Sequence, residues 1–299
     1  MPVAISRDIL KGLLVEEAMR RQVVRAPHDT SLDSCAGRLI KYKVNALLID
    51  DEGGRPVGVV SKTDIVGAFY GGLPIAEAVS GDIMNGPALT CFPDDELGEA
   101  LDIMRRNGVH QLFVQGAEVC AVIGTLSYAD VVALLYRFCR GCPRGAAGRS
   151  EAAGLEDSTQ VLRVREAMRT SVLSCRKQDS LAVVIEELTA RRLGAVLVKD
   201  RAGSPVGVIS KTDIVLAYRH GASLDDEAQS IMKAPPLSCE ENALLTEAIR
   251  RMFLSDVQRL FVHGADPSQI VGVLSLADAA QLRSGSCKAC MASRMIANP

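Results

Sequence analysis

Pro56-Val57-Gly58-Val59-Val60-Ser61-Lys62-Thr63-Asp64-Ile65-Val66 returns 149 residues later as Pro205-Val206-Gly207-Val208-Ile209-Ser210-Lys211-Thr212-Asp213-Ile214-Val215, with one change. Ala18-Met19-Arg20 returns at the same offset as Ala167-Met168-Arg169. A second pair lies between these copies at an offset of 148: Ile83-Met84 with Ile231-Met232, and Ser127–Asp130 with Ser275–Asp278. The two families are related to each other at 65–66 residues, where Leu32, Leu39, Val44 and Leu47 fall on Leu97, Met104, Val109 and Leu112. The order is therefore A-B-A′-B′, a duplicated pair, and this period decides the fold.

Each repeat reads alike. In A, a β-branched stretch near 22–25 leads to Thr30-Ser31, a helix cap. Leu32, Cys35, Ala36, Leu39 and Ile40 then share one helical face. Ala46–Ile49 is a compact apolar strand, 51–55 is a turn, and Val57–Val60 is a second strand. A helix starts near Ser61 and runs past Phe69. The unit is β-α-β-β-α, a mixed α/β (α+β) class. A unit of this size buries little core alone, so pairing of A with B is expected.

The chain has 299 residues, 48% hydrophobic and 23% charged, with 34 Lys+Arg against 36 Asp+Glu and a net charge of −2. That length suits about two domains. The neutral balance argues against holding nucleic acid or an anionic membrane by bulk electrostatics. Trp is absent and aromatics make up 4%, too few for base-stacking platforms. No apolar run reaches the ~18–20 residues of a membrane span, and the N-terminus has no secretory h-region. The expectation is a soluble, cytoplasmic protein.

Ser61 stands where a strand gives way to a helix. Free N–H groups and the helix dipole there favour an anion such as phosphate. An Asp one turn on has a carboxylate able to accept from both hydroxyls of a ribose. The same Ser-x-x-Asp spacing is a capping box, which stabilises any helix start, so both readings stand at this point. Lys62 and Lys211 add a cation in the first helical turn, where the dipole disfavours it and a polyphosphate would favour it. Repeats B and B′ carry Tyr128 and Leu276 instead. A and A′ are thus expected to hold the better anion sites. Repeat B also lacks the Pro-Val opening.

The Gly-h-h-Ser-x-x-Asp stretch recurs as Gly58…Ser61…Asp64, Gly124…Ser127…Asp130, Gly207…Ser210…Asp213 and Gly272…Ser275…Asp278. With the Ala-Met or Ile-Met lead-in to each repeat, it makes the chain resemble the CBS domain family over about residues 12–138 and 160–283. The resemblance implies two Bateman modules: 1–142, with repeats about 12–72 and 76–138, and 160–299, with repeats about 160–221 and 225–283. Residues 143–159 would link them, and two modules commonly form a flat disc. It further implies a regulatory protein, not an enzyme, that binds adenosine nucleotides (AMP, ADP or ATP) and signals to a regulated partner; a homodimer is a further arrangement. The implied nucleotide residues are Ser61, Lys62, Thr63 and Asp64, Ser127 and Asp130, Ser210, Lys211, Thr212 and Asp213, and Ser275 and Asp278. Apolar residues would make the base slot, near Val24, Val44–Ala46, Val172 and Leu193–Ala195. The matching stretches His110-Gln111 and Gln258-Arg259 have polar side chains that could read a base edge or a phosphate, or simply face solvent, and solvent exposure is the expectation.

Nine cysteines remain. Cys139, Cys142, Cys287 and Cys290 form two Cys-x-x-Cys pairs 148 residues apart. Four thiolates suit tetrahedral Zn²⁺ or an iron–sulfur centre; alternatively each pair is a redox dithiol, or an inert pair copied with everything else. Cys35, Cys91, Cys120, Cys175 and Cys239 read as small buried hydrophobes. The four histidines share no spacing that suggests a catalytic or metal set.

Overall fold

The computed structural model describes residues 12–118, 121–141 and 162–281. Four three-stranded sheets follow one another, one per repeat. In repeat A, Arg25–Pro27 runs parallel to Ala46–Asp50, which runs antiparallel to Pro56–Ser61. The helix Leu32–Lys41 makes the parallel crossover, and Ser31 caps it by accepting from the Ser34 N–H. A second helix, Lys62–Tyr70, follows the third strand directly.

Repeat B has strands Thr90–Cys91, Gln111–Gln115 and Val122–Ser127 with helices Leu97–Asn107 and Tyr128–Gly141. Repeat A′ has strands Ser174–Arg176, Ala195–Lys199 and Pro205–Ser210 with helices Leu181–Ala190 and Lys211–Arg219. Repeat B′ has strands Ser238–Glu240, Arg259–His263 and Ile270–Ser275 with helices Leu245–Leu254 and Leu276–Gln281. Each middle strand carries a register shift at the same place, after Ile49, Val114, Val198 and Val262.

The core is divided differently from the order of the chain. On the helix side, A packs against A′: Leu32, Leu39 and Ile65 share one buried cluster with Leu181, Ile185 and Ile214. B packs against B′ in a second cluster that joins Leu97, Leu101 and Val131 to Ile249, Met252 and Ala280. A meets B through the opposite sheet faces. Strand residues alternate, so Leu47 and Ile49 enter the helix-side core while Ala46 and Leu48 face B and meet Phe113. The expected pairing of A with B is therefore one of two apolar contacts that A and B each make. A three-stranded sheet with helices on one face has two apolar sides to cover, and no single neighbour covers both.

Polar contacts lock the A–A′ seam. Phe69 stacks on Tyr218 with ring centroids 4.7 Å apart. Arg219 donates twice to Asp33, at 2.7 and 3.2 Å. No helix among the described residues is long and apolar enough to cross a membrane.

Candidate functional site

The lead-in methionines explain the motif glycines. A Cβ on Gly58 would stand 2.9 Å from Met84 Sδ, on Gly207 2.7 Å from Met232 Sδ, and on Gly272 2.7 Å from Met168 Sδ. On Gly124 it would stand 2.6 Å from the Arg20 carbonyl oxygen. Each lead-in thus crosses to the other repeat of its pair. Short two-bond bridges hold it there, Arg20 with Thr125, Asn85 with Val59, Arg169 with Val273 and Lys233 with Val208. The two halves of the motif are one contact seen from both sides.

This crossing brings a polar side chain onto every motif Asp. In all four repeats the Ser backbone N–H and Oγ–H donate to one carboxylate oxygen of the Asp, closing the helix cap. The other oxygen accepts from the residue after the lead-in Met. Asn85 donates to Asp64 at 2.8 Å, and Arg20 and Arg169 donate to Asp130 and Asp278. Lys233 stands 2.8 Å from Asp213. The carboxylates of Asp130, Asp213 and Asp278 are buried, while the cations on them are more than half exposed.

Ser61, Lys62 and Asp64 are half-buried and Thr63 is exposed; Ser127, Asp130 and Asp213 are buried; Ser210, Lys211, Thr212, Ser275 and Asp278 are half-buried. The two lysines cross the A–A′ seam. Lys211 Nζ donates to Thr63 Oγ1 at 2.8 Å and feels Asp64, while Lys62 feels Asp213 and Asp256. Loss of solvation lowers both lysine pKa values, and for Lys211 the nearby Arg259 adds to it. Both are thus half-buried cations that have lost part of their solvation.

Within His110-Gln111 and Gln258-Arg259 the expectation of solvent exposure holds for His110 and Gln258, while Gln111 and Arg259 depart from it. Gln111 is buried and donates to the Ala46 carbonyl at 3.2 Å. Arg259 lies against Gly194, where a Cβ would come within 2.4 Å of its Nη2. Desolvation brings the Arg259 guanidinium down to about 10, with Asp278 acting the other way. His110 keeps accessible surface, yet its ring is crowded, edge-on to Tyr128 at 5.6 Å. That crowding, then the charges of Arg259, Lys211 and Arg169, push it down to about 4. A small cavity lined by Asn45, His110, Tyr128, Gln258, Arg259 and Ser275 lies at this meeting point. In each pair a long polar side chain of B or B′ fits over a small residue of A or A′. Only the tertiary contact reveals that complement.

The base-slot residues divide. Ala46 is on the sheet face toward B, beside Val23 and Phe113. Ala195 is buried at the matching point of A′, and Val172 is half-buried. Val24 does not face the cleft: it is buried in the helix-side core with Leu32 and Leu39. Val23 is the cleft-side residue, and it aligns with Val172 at the 149 offset. A shift of one residue along a strand exchanges its two faces.

Cys142, Cys287, Cys290, Cys120 and the 143–159 linker lie outside the described residues; of Cys139 only the backbone, in the helix Tyr128–Gly141, is described. Among the described residues no cluster of three or more metal-ligating side chains occurs. Cys35, Cys91, Cys175 and Cys239 are buried free thiols, pushed by burial to about 11, 12, 11 and 11. They stay protonated and act as small hydrophobes.

The architecture recurs in known proteins. Protein MJ1225 from Methanocaldococcus jannaschii, described as a proposed archaeal homolog of g-AMPK, superposes with a TM-score of 0.72 at 16% identity, over 90% of this chain and 99% of that one. An uncharacterized conserved protein from Pyrococcus horikoshii gives 0.58 at 14% identity, over 91% and 100%. The curated relative MK0525 of Methanopyrus kandleri, itself uncharacterized, is 23% identical over 121 residues, 40% of this chain. The match spans 61% of that protein's length. The sequence profile of the CBS domain matches residues 15–71, 79–137, 164–220 and 228–285, one match for each sheet-and-helix unit. With these four matches together covering most of its length, the chain belongs to the CBS domain family.

Proposed function

We propose that this chain binds adenosine nucleotides in the clefts between A and B and between A′ and B′, and relays their presence to a regulated partner. The observation that carries this reading is a set of half-buried cations crossing the A–A′ seam onto motif residues: Lys211 beside Thr63, Asp64 and Arg259, and Lys62 beside Asp213. Cations held out of water at a cost to their own ionisation form a site for a phosphate group. The motif Asp residues supply acceptors for a ribose diol one helical turn away.

The relay follows from where the contacts lie. Thr63 and Lys211 belong to different pairs and touch each other, so a phosphate bound at this contact reaches both. A ligand that binds one packing of A on A′ better than another shifts the population toward it, by no more than its differential affinity. The test is calorimetric titration of AMP and ATP into the full chain and into Asp64→Ala/Asp213→Ala. Loss of binding with the fold retained supports the reading. Unchanged affinity overturns it.

A further inference from the structure

The four motif carboxylates are not equivalent, and the difference lies in one residue position. The side chain after the lead-in methionine sits on the outer oxygen of the Asp in the partner repeat: Arg20 on Asp130, Arg169 on Asp278, Lys233 on Asp213 and Asn85 on Asp64. Three are cations that pair with carboxylates left 5 to 8% exposed. The fourth is a neutral amide, and among the described residues no cation lies within ion-pair distance of Asp64.

A hydrogen-bonded ion pair on a shielded carboxylate is harder to open than an amide contact, because separating it leaves a charge without a partner. A diol that needs the outer oxygen must therefore displace a cation at Asp130, Asp213 and Asp278, and only an amide at Asp64. Resting on the nucleotide reading above, we propose that the residue after each lead-in methionine is an internal lock on the cleft, and that the Asp64 cleft, where this residue is the amide of Asn85 in place of a cation, fills first. Specificity among the four clefts is then set by a residue outside the Ser-x-x-Asp motif and contributed by the opposite repeat. The lock also acts on the sugar end of the ligand, so it discriminates in the same direction for a nucleoside without phosphate.

The fold tolerates the exchange that tests this. Arg already occupies the equivalent position in A and A′, so Asn85→Arg places a side chain the same frame carries twice. Adenosine and AMP are titrated calorimetrically into the full-length chain. The tightest phase is expected to vanish in Asp64→Asn and to persist in Asp130→Asn. Asn85→Arg is expected to weaken that phase about tenfold for both ligands, the loss of one charge-assisted contact. Lys233→Asn is expected to strengthen a weaker phase about tenfold. A tightest phase that ignores residue 85, or that survives Asp64→Asn, overturns the lock while leaving nucleotide binding intact. Absence of binding heat for adenosine and AMP in every one of these proteins overturns the nucleotide reading, and the lock with it.

Discussion

Lys211 Nζ donates to Thr63 Oγ1 at 2.8 Å, so the two copies of the Ser-Lys-Thr-Asp stretch, 148 residues apart at these atoms, touch each other across the A–A′ seam. The contact is made by a lysine that has lost solvation and that also faces Arg259. The nearness of Lys211 and Arg259 costs stability, since the two cations repel. Lys211→Met is therefore expected to raise the melting temperature without ligand. It is also expected to weaken AMP about tenfold while changing adenosine little, because only the phosphate uses the charge. Thermal melts and parallel titrations check both parts.

Gly124 shows why the motif needs glycine. A methyl there would meet the Arg20 carbonyl oxygen at 2.6 Å, and backbone gives way less readily than a side chain tip. Gly124→Ala is expected to destabilise the protein by about 1–3 kcal/mol in urea denaturation. Gly67 is the control: it lies inside the helix Lys62–Tyr70 with nothing within 4 Å of its added Cβ. Gly67→Ala is expected to stabilise by about 0.5–1 kcal/mol.

His110 makes stability depend on pH in a defined direction. Its folded pKa is about 4 against an ordinary 6.5. As pH falls below 6.5 the unfolded chain takes up the proton first, so stability is lost progressively down to about 4 and the loss then levels off. The slope of unfolding free energy against pH between these limits is expected to shrink in His110→Gln. A bound phosphate beside Arg259 and Lys211 offsets their charge, so AMP is expected to raise the His110 pKa, which NMR titration reads directly.

One turn recurs in all four repeats with a left-handed residue, at Lys43, Gly108, Arg192 and Asp256, with φ of 53°, 65°, 51° and 53°. Only repeat B uses the residue that adopts this conformation without strain. Arg192→Gly is expected to stabilise the protein by about 1 kcal/mol in chemical denaturation. Lys43 and Asp256 bond to each other between A and B′, so glycine there gives up a contact and gains less.

Much of this protein was legible as text. The strand 46–50, the turn at 51–55, the cap at Ser31 and the helix beginning at Lys62 all follow from patterns within a dozen residues. The Ser-x-x-Asp motif carried two readings, and its cap geometry is present in all four repeats. What the pattern concealed was the outer carboxylate oxygen, whose partner lies 21 residues away for Asp64 and 110 for Asp130. The polar pairs fared likewise. Gln111 and Arg259 look like solvated residues at a strand start, but each covers a small residue of another repeat. Val24 against Val23 is a matter of strand phase, which a run of adjacent apolar residues does not encode.

The sequence by itself determined a duplicated pair of units in the order A-B-A′-B′, their internal order of elements and the residues that close each helix start. Local hydrogen bonds and apolar periodicity are enough for that, because the interacting groups are near one another along the chain. Only the tertiary structure decided that helix faces join A to A′ and B to B′ while sheet faces join A to B. It likewise decided that the side chain after each methionine crosses onto its neighbour's Asp. Those choices depend on how curved apolar surfaces fit together. Duplication makes the repeats nearly alike in pattern, so their sequence leaves open which copy meets which.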